Sequence, residues 1–226
     1  MQELAAEGEQ AGRCALFDAG RSRYARGMSE THGKWRIRSG RTVYANRWIN
    51  VREYRTLAPT GAEALYGLVH MHNLAVGVLP IDEEGNTILI GQERFPFGQY
   101  SWELPEGGGP EAAPPLESAR RELAEEAGLR AEHWLPLVAD VQLSNSVTDE
   151  RAFAFIAWGL SPDDRFQSDS SEELSVRRVS FAEAVKMAAL GEIVDAFSLV
   201  MLFKADHLLR TGALPQELAR RMLAGA

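Results

Sequence analysis

The chain of 226 residues has a formal net charge of −8, with 45% apolar and 25% charged residues. That balance suits one catalytic domain with a smaller attachment, and it supplies enough chain to bury a core unaided. The acidic charge argues against nucleic acid as a partner, because such binding needs a basic face to displace counterions. No apolar run approaches the roughly 18 residues of a membrane span. The single Cys14, without zinc-type spacing, points to a reducing, cytoplasmic setting.

Residues 1–27 are rich in Ala, Gly, Glu and Arg, lack sustained periodicity and contain no apolar stretch of the signal-peptide kind. Strand-like patterning begins only after them, so 1–33 are expected to form a disordered extension. From Lys34 to Met71 the pattern is β. Strands are expected at Thr42–Tyr44, from Trp48 to Leu57, and at Ala64–Val69 after the turn Pro59-Thr60-Gly61. Two or three strands alone are marginal in water, so 34–71 is expected to pack on something larger, a second subunit being the natural choice.

Residues 72–226 form the main domain. Leu74–Ile81 and Thr87–Gly91 flank Asp82-Glu83-Glu84-Gly85-Asn86 and read as a hairpin. Further strands are expected at 100–105, 138–143, 151–158 and 175–179. Residues Ala152–Trp158 are apolar on both faces, as in a covered central strand. Pro114-Pro115 and Gly128 bracket a helix whose Leu116, Ala119, Leu123 and Ala127 form one inward stripe. Ser180-Phe181-Ala182-Glu183 is a capping box for a second helix ending at Gly191, and Asp195 opens a third. Strands interleaved with helices in this order give an α/β sandwich with a mixed central sheet.

The chemistry sits on the first helix. Glu122, Glu125 and Glu126 stand at i, i+3 and i+4, so three carboxylates share one face. Crowded anions repel, and one is driven towards protonation unless a cation joins them. A hard divalent ion with oxygen ligands, Mg²⁺ above all, meets that need. Arg121 stands where it can orient these carboxylates. Gly107-Gly108-Gly109, after Trp102-Glu103-Leu104-Pro105-Glu106, reads as a loop whose backbone can approach phosphates and metal closely.

Arg121-Glu122-Leu123-Ala124-Glu125-Glu126-Ala127-Gly128-Leu129, with Gly107 at the required distance upstream, resembles the Nudix box. One box position departs: the family's first Glu falls on Ala113, with Glu111 and Glu117 nearby as substitutes. Other pieces are similar to the ADP-ribose pyrophosphatase and nucleoside diphosphate sugar hydrolase branch, over about residues 34–210. They are Trp48-Ile49, Val51-Arg52-Glu53, Gln92-Glu93-Arg94, Asn145–Glu150 and Ser170-Ser171-Glu172-Glu173-Leu174.

The resemblance implies the Nudix α/β/α sandwich, with the N-terminal strands exchanged in a homodimer. It further implies Mg²⁺-dependent hydrolysis of the pyrophosphate bond of a nucleotide sugar, with Mn²⁺ as a substitute ion. By the same resemblance Glu122 and Glu126 are metal ligands, Glu125 joins a further ion, and Glu106 completes the shell through its carbonyl. Metal-bound carboxylates are poor proton acceptors, so the general base is sought outside the helix. Glu172 is the first choice and Glu173 the second. Arg94 is the expected phosphate contact, Glu150 a partner for a sugar hydroxyl, and Trp48 a surface on which the base can stack. Arg52, Glu103 and Gly107 complete the substrate-binding set. Members strict for ADP-ribose usually carry Pro where this chain has Ser144, so other nucleotide sugars are expected as substrates too. A triphosphate or dinucleotide hydrolase of the same fold is the rival enzyme, and a non-catalytic ligand sensor the rival outside catalysis. The N-terminal strands disfavour the first, and the intact Glu122, Glu125 and Glu126 disfavour the second.

Overall fold

A computed structural model describes residues 31–163 and 173–225. The N-terminal segment folds as a four-stranded antiparallel sheet of β1 (Thr31–His32), β2 (Trp35–Ala45), β3 (Ile49–Leu57) and β4 (Glu63–Met71), in that spatial order. Thr31 and His32 already pair with Arg36 and Trp35, so regular structure starts ahead of Lys34 rather than after an extension ending at 33. The strands are longer than local propensity suggested, because pairing on both sides carries them through Arg and Gly positions. Val43, Tyr44, Trp48 and Leu65 of this segment are all exposed.

The main body uses β5 (Asn73–Ile81), β6 (Asn86–Arg94), β7 (Gln99–Glu103), β8 (Glu106–Pro110), β9 (Leu129–Gln142), β10 (Arg151–Pro162) and β11 (Ser175–Ser180). Four helices complete it: α1 (Pro115–Ala127), α2 (Phe181–Leu190), α3 (Ala196–Arg210) and α4 (Gln216–Ala224). A mixed sheet has the order β8-β5-β10-β9, with β10 parallel to β5 and antiparallel to β9. A second, antiparallel sheet has the order β11-β6-β7. The expected β5–β6 hairpin does not form. Both edges of β5 are taken by β10 and β8, and both edges of β6 by β11 and β7. The turn at Asp82–Asn86 therefore passes the chain from one sheet to the other.

Alternation along β5 divides the core. Val76 and Val78 join Phe155 and Ala157 of β10 under Ala119 and Leu123 of α1, with Leu116 and Ala127 packed at the margin. The opposite faces send Leu79, Ile81, Ala154 and Ile156 towards α2, α3 and α4, where Phe181, Met187, Phe197, Met201, Leu218 and Met222 are buried. The result is a helix–sheet–helix sandwich in which β10 is covered on both faces. Gly128 ends α1 at φ 64°, a left-handed cap that glycine adopts without steric cost. Ser180 caps α2 by accepting the Glu183 N–H at 3.1 Å, and Asp195 caps α3 by accepting the Ser198 N–H at 2.6 Å. The amphipathic α4 was not foreseen; it buries Leu218 and Met222 and closes over the β5–β6 turn.

Candidate active site

Two elements meet to build the site, α1 and the edge strand β8. The glycine run 107–109, expected as a loop, instead lies within this strand, in register with Val76–Leu74 of β5. Its glycines serve close packing rather than turning. A Cβ on Gly107 would stand 2.3 Å from the Glu122 carboxylate, and one on Gly109 would stand 2.2 Å from Ser118 Oγ. Glycine thus lets α1 lie directly on the strand, with Glu122 pressed against it and only 7% exposed.

Arg121 ties the acidic face together. It donates to Glu125 Oε2 at 2.5 Å, to Glu122 Oε1 at 2.6 Å and to the Gly108 carbonyl at 2.6 Å. Glu126 Oε2 accepts the Glu106 backbone N–H at 2.9 Å, joining the helix to the start of β8. A second cluster begins at Glu106 itself. Arg94 at the end of β6 grips Glu103 through both carboxylate oxygens, with Nε contacts of 2.9 and 3.0 Å, and reaches Glu106 Oε1 at 3.5 Å. Glu103 is 3% exposed and faces Arg94. Glu103 is thus a buried counter-ion that orients Arg94, whose guanidinium stays partly exposed.

Electrostatically the site is acidic. Burial pushes the Glu106 carboxyl well above the usual carboxylate range; Asp195, Glu103 and Glu126 push the same way, and Arg94 opposes them. Burial also raises Glu150, reinforced by Asp149 and Asp195. Asp195, read in the sequence only as a helix cap, is therefore a charged neighbour of both Glu106 and Glu150. Its signal is positional: Leu104 N–H donates to buried Ser198 Oγ at 2.8 Å, which pins the Asp195 end of α3 beside the Leu104–Glu106 bend.

The remaining expected residues fall in several places. Glu172 lies outside the described residues, and Glu173 is exposed just ahead of β11. Glu150 is half-buried between the 144–149 loop and β10. Trp48 is 53% exposed, with the Arg47 guanidinium 4.3 Å from its ring centroid, so it is a surface aromatic and not core. Arg52 stands on β3 with its guanidinium 5.6 Å from the Tyr54 ring, on the N-terminal sheet. Glu111 and Glu117, the substitutes considered for Ala113, are both exposed, one in a turn and one on the first turn of α1.

The donor set fits a hard cation. Glu106 Oε2 is buried with no hydrogen-bond partner, and the neighbouring acids make its ionisation costly without added positive charge. Among the described residues no three acidic side chains yet converge as a metal cage, since Arg121 and the Glu106 N–H hold the box carboxylates.

Comparison with known proteins agrees with this geometry. A NUDIX domain family model matches residues 71–197. The chain is 31% identical over 176 residues to an ADP-ribose pyrophosphatase of Mycobacterium tuberculosis, covering 77% of this chain and 84% of that protein. It is 32% identical over 126 residues to an ADP-ribose pyrophosphatase of Bacillus subtilis, covering 55% and 68%. Among solved structures, an ADP compounds hydrolase superposes with a TM-score of 0.71 at 22% identity, over 81% of this chain and 98% of that one.

Proposed function

The chain belongs to the Nudix family and is a pyrophosphohydrolase; from that premise we propose that it cleaves the pyrophosphate bond of nucleoside diphosphate sugars, ADP-ribose among them. The products are a nucleoside monophosphate and a sugar phosphate. The observation that carries the reading is the packing of Glu122 on Gly107, with Arg121 and the Glu106 N–H holding Glu122, Glu125 and Glu126 beside the buried Glu106. The two ADP-ribose pyrophosphatases among the relatives support the choice of substrate.

In this reading Glu122, Glu126 and Glu125 hold Mg²⁺, with Mn²⁺ as a substitute, and the Glu106 carbonyl completes the ligand set. When bound, the ion neutralises the phosphoryl oxygens and acidifies a water. Arg94, aimed by Glu103, binds a non-bridging phosphate oxygen. Arg121 orients the box carboxylates. Glu172, or Glu173 in its place, takes a proton from the attacking water as its oxygen bonds to phosphorus and the bridging P–O bond breaks. The other phosphate leaves with the bridging oxygen. Glu150 binds a hydroxyl of the terminal sugar, while Trp48 in the β2–β3 turn and Arg52 on β3 face the base end of a substrate, supplied from a partner subunit.

Steady-state kinetics test the assignment. Glu126→Gln removes a ligand charge and should lower kcat about 10²-fold or more with the fold intact. Glu172→Gln should lower kcat about 10²–10⁴-fold with KM little changed, the deficit passing to Glu173→Gln if 173 is the base. Near-normal turnover of Glu126→Gln with Mg²⁺ would overturn the reading.

A further inference from the structure

The segment between β9 and β10 is hydrogen-bonded to the N-terminal sheet. Val69 N–H donates to the Val147 carbonyl at 2.8 Å, and Asp149 N–H donates to the Val69 carbonyl at 3.3 Å. Thr148 thereby forms an isolated parallel bridge with Val69. The Tyr66 hydroxyl donates to the Ser146 carbonyl at 2.8 Å. The Asp149 side chain, only 11% exposed, closes the join from both oxygens: Oδ1 accepts the Met71 N–H at 2.9 Å, and Oδ2 lies 2.7 Å from His70 Nδ1. Within the segment, the Ser144 carbonyl accepts the N–H groups of Val147 and Thr148, so the turn itself is compact.

Glu150 is the next residue after this join, and Arg151, directly after it, is already paired in β10. Glu150 is thus fixed on both flanks, one belonging to the N-terminal sheet and the other to the catalytic sheet. Its carboxyl and that of Glu106 both have Asp195 as a charged neighbour. We propose that Asp149, held from β4 by His70 and the Met71 N–H, is a positioning residue that sets Glu150 against the substrate's terminal sugar. The N-terminal sheet therefore shapes substrate choice from within its own chain. This inference rests on the nucleotide-sugar reading for the identity of the ligand but not for the existence of the join.

Two measurements on the full chain test it. With ADP-ribose and Mg²⁺, Asp149→Ala should raise KM about tenfold while kcat stays within about twofold, and Asp149→Asn should recover part of the loss. Glu150→Ala should raise KM similarly, and the double variant should be no worse than Glu150→Ala, because one residue acts through the other. Amide hydrogen exchange at residues 146–149 should quicken in Asp149→Ala without a change in α1. Tyr66→Phe, a milder change at an exposed hydroxyl, should quicken the same amides and so serves if Asp149→Ala does not fold. An unchanged KM for Asp149→Ala, losses that multiply in the double variant, or unaltered exchange in both Asp149→Ala and Tyr66→Phe would overturn the proposal. If the wild type fails to cleave ADP-ribose, the substrate reading falls, and the exchange data still decide whether the join positions this segment.

Discussion

Burial and four neighbouring charges pull on the Glu106 carboxyl in opposing directions. Desolvation, Asp195, Glu103 and Glu126 favour the protonated form, and Arg94 alone favours the carboxylate. Because the folded pKa lies above the ordinary value of 4.5, the folded chain holds this proton more tightly than the unfolded one. Its contribution to stability is complete below that value and is lost as pH rises towards the folded pKa. Glu106→Gln, which has no charge to bury, should therefore raise the melting temperature of metal-free protein at neutral pH. The gain is a few degrees, on the scale of about 2–4 °C per kcal/mol for a chain of this size. Melting curves at pH 5 and pH 8 check it: wild type and variant should differ more at pH 8. A variant less stable than wild type at pH 8 without metal would show that Glu106 is held as a satisfied carboxylate.

At the scale of elements, strand β8 and helix α1 work as one unit, and Gly107 is the point where they touch. Gly107→Ala would place a Cβ 2.3 Å from the Glu122 carboxylate, a distance at which either α1 or the side chain has to move. Turnover should fall by about 10²-fold, since a displacement near 1 Å in a reacting geometry costs that much. Thermal melting should still be cooperative, and wild-type kcat in this variant would mean the contact does not position the site. The same unit shows what the sequence could and could not tell. The helix, its inward stripe and its acidic face follow from spacing along one element, so Leu116–Gly128 was readable, as were the caps at Ser180 and Asp195. Glycine's role at 107–109 depends on Ser118 and Glu122 of the following helix lying on the strand, and local chemistry suggests a loop instead. The β5–β6 hairpin misled for a related reason. Turn residues predict reversal of the chain, but which strand occupies each edge is decided by distant partners such as β10 and β11. The grip of Glu103 on Arg94 and the placing of Asp195 are tertiary facts of the same kind, carried by no periodicity.

For the whole molecule, the N-terminal sheet is an unfinished structure in one chain. Among the described residues no helix covers it as α1 to α4 cover the sandwich, and Val43, Tyr44, Trp48 and Leu65 are exposed. Residues 31–72 carry seven Lys or Arg against two Glu, inside a protein of net charge −8. A basic, partly apolar sheet is complementary to the acidic sandwich of a second copy, which favours pairing between chains. A homodimer with an isologous interface is the expected assembly, burying more than about 2,000 Å² in total if strands are exchanged. Light scattering at micromolar concentration checks this, and a monomer there would contradict it.

The most direct test of the account is release of nucleoside monophosphate from a panel of nucleotide sugars and dinucleotides, with Mg²⁺ and with chelator. ADP-ribose should be cleaved to AMP and ribose phosphate only when the ion is present. Because Ser144 stands where strict ADP-ribose enzymes are expected to carry Pro, at least one hexose nucleotide should follow within about a hundredfold in kcat/KM. Turnover that survives chelation, or a panel in which triphosphates or dinucleotides are cleaved and nucleotide sugars are not, would contradict it.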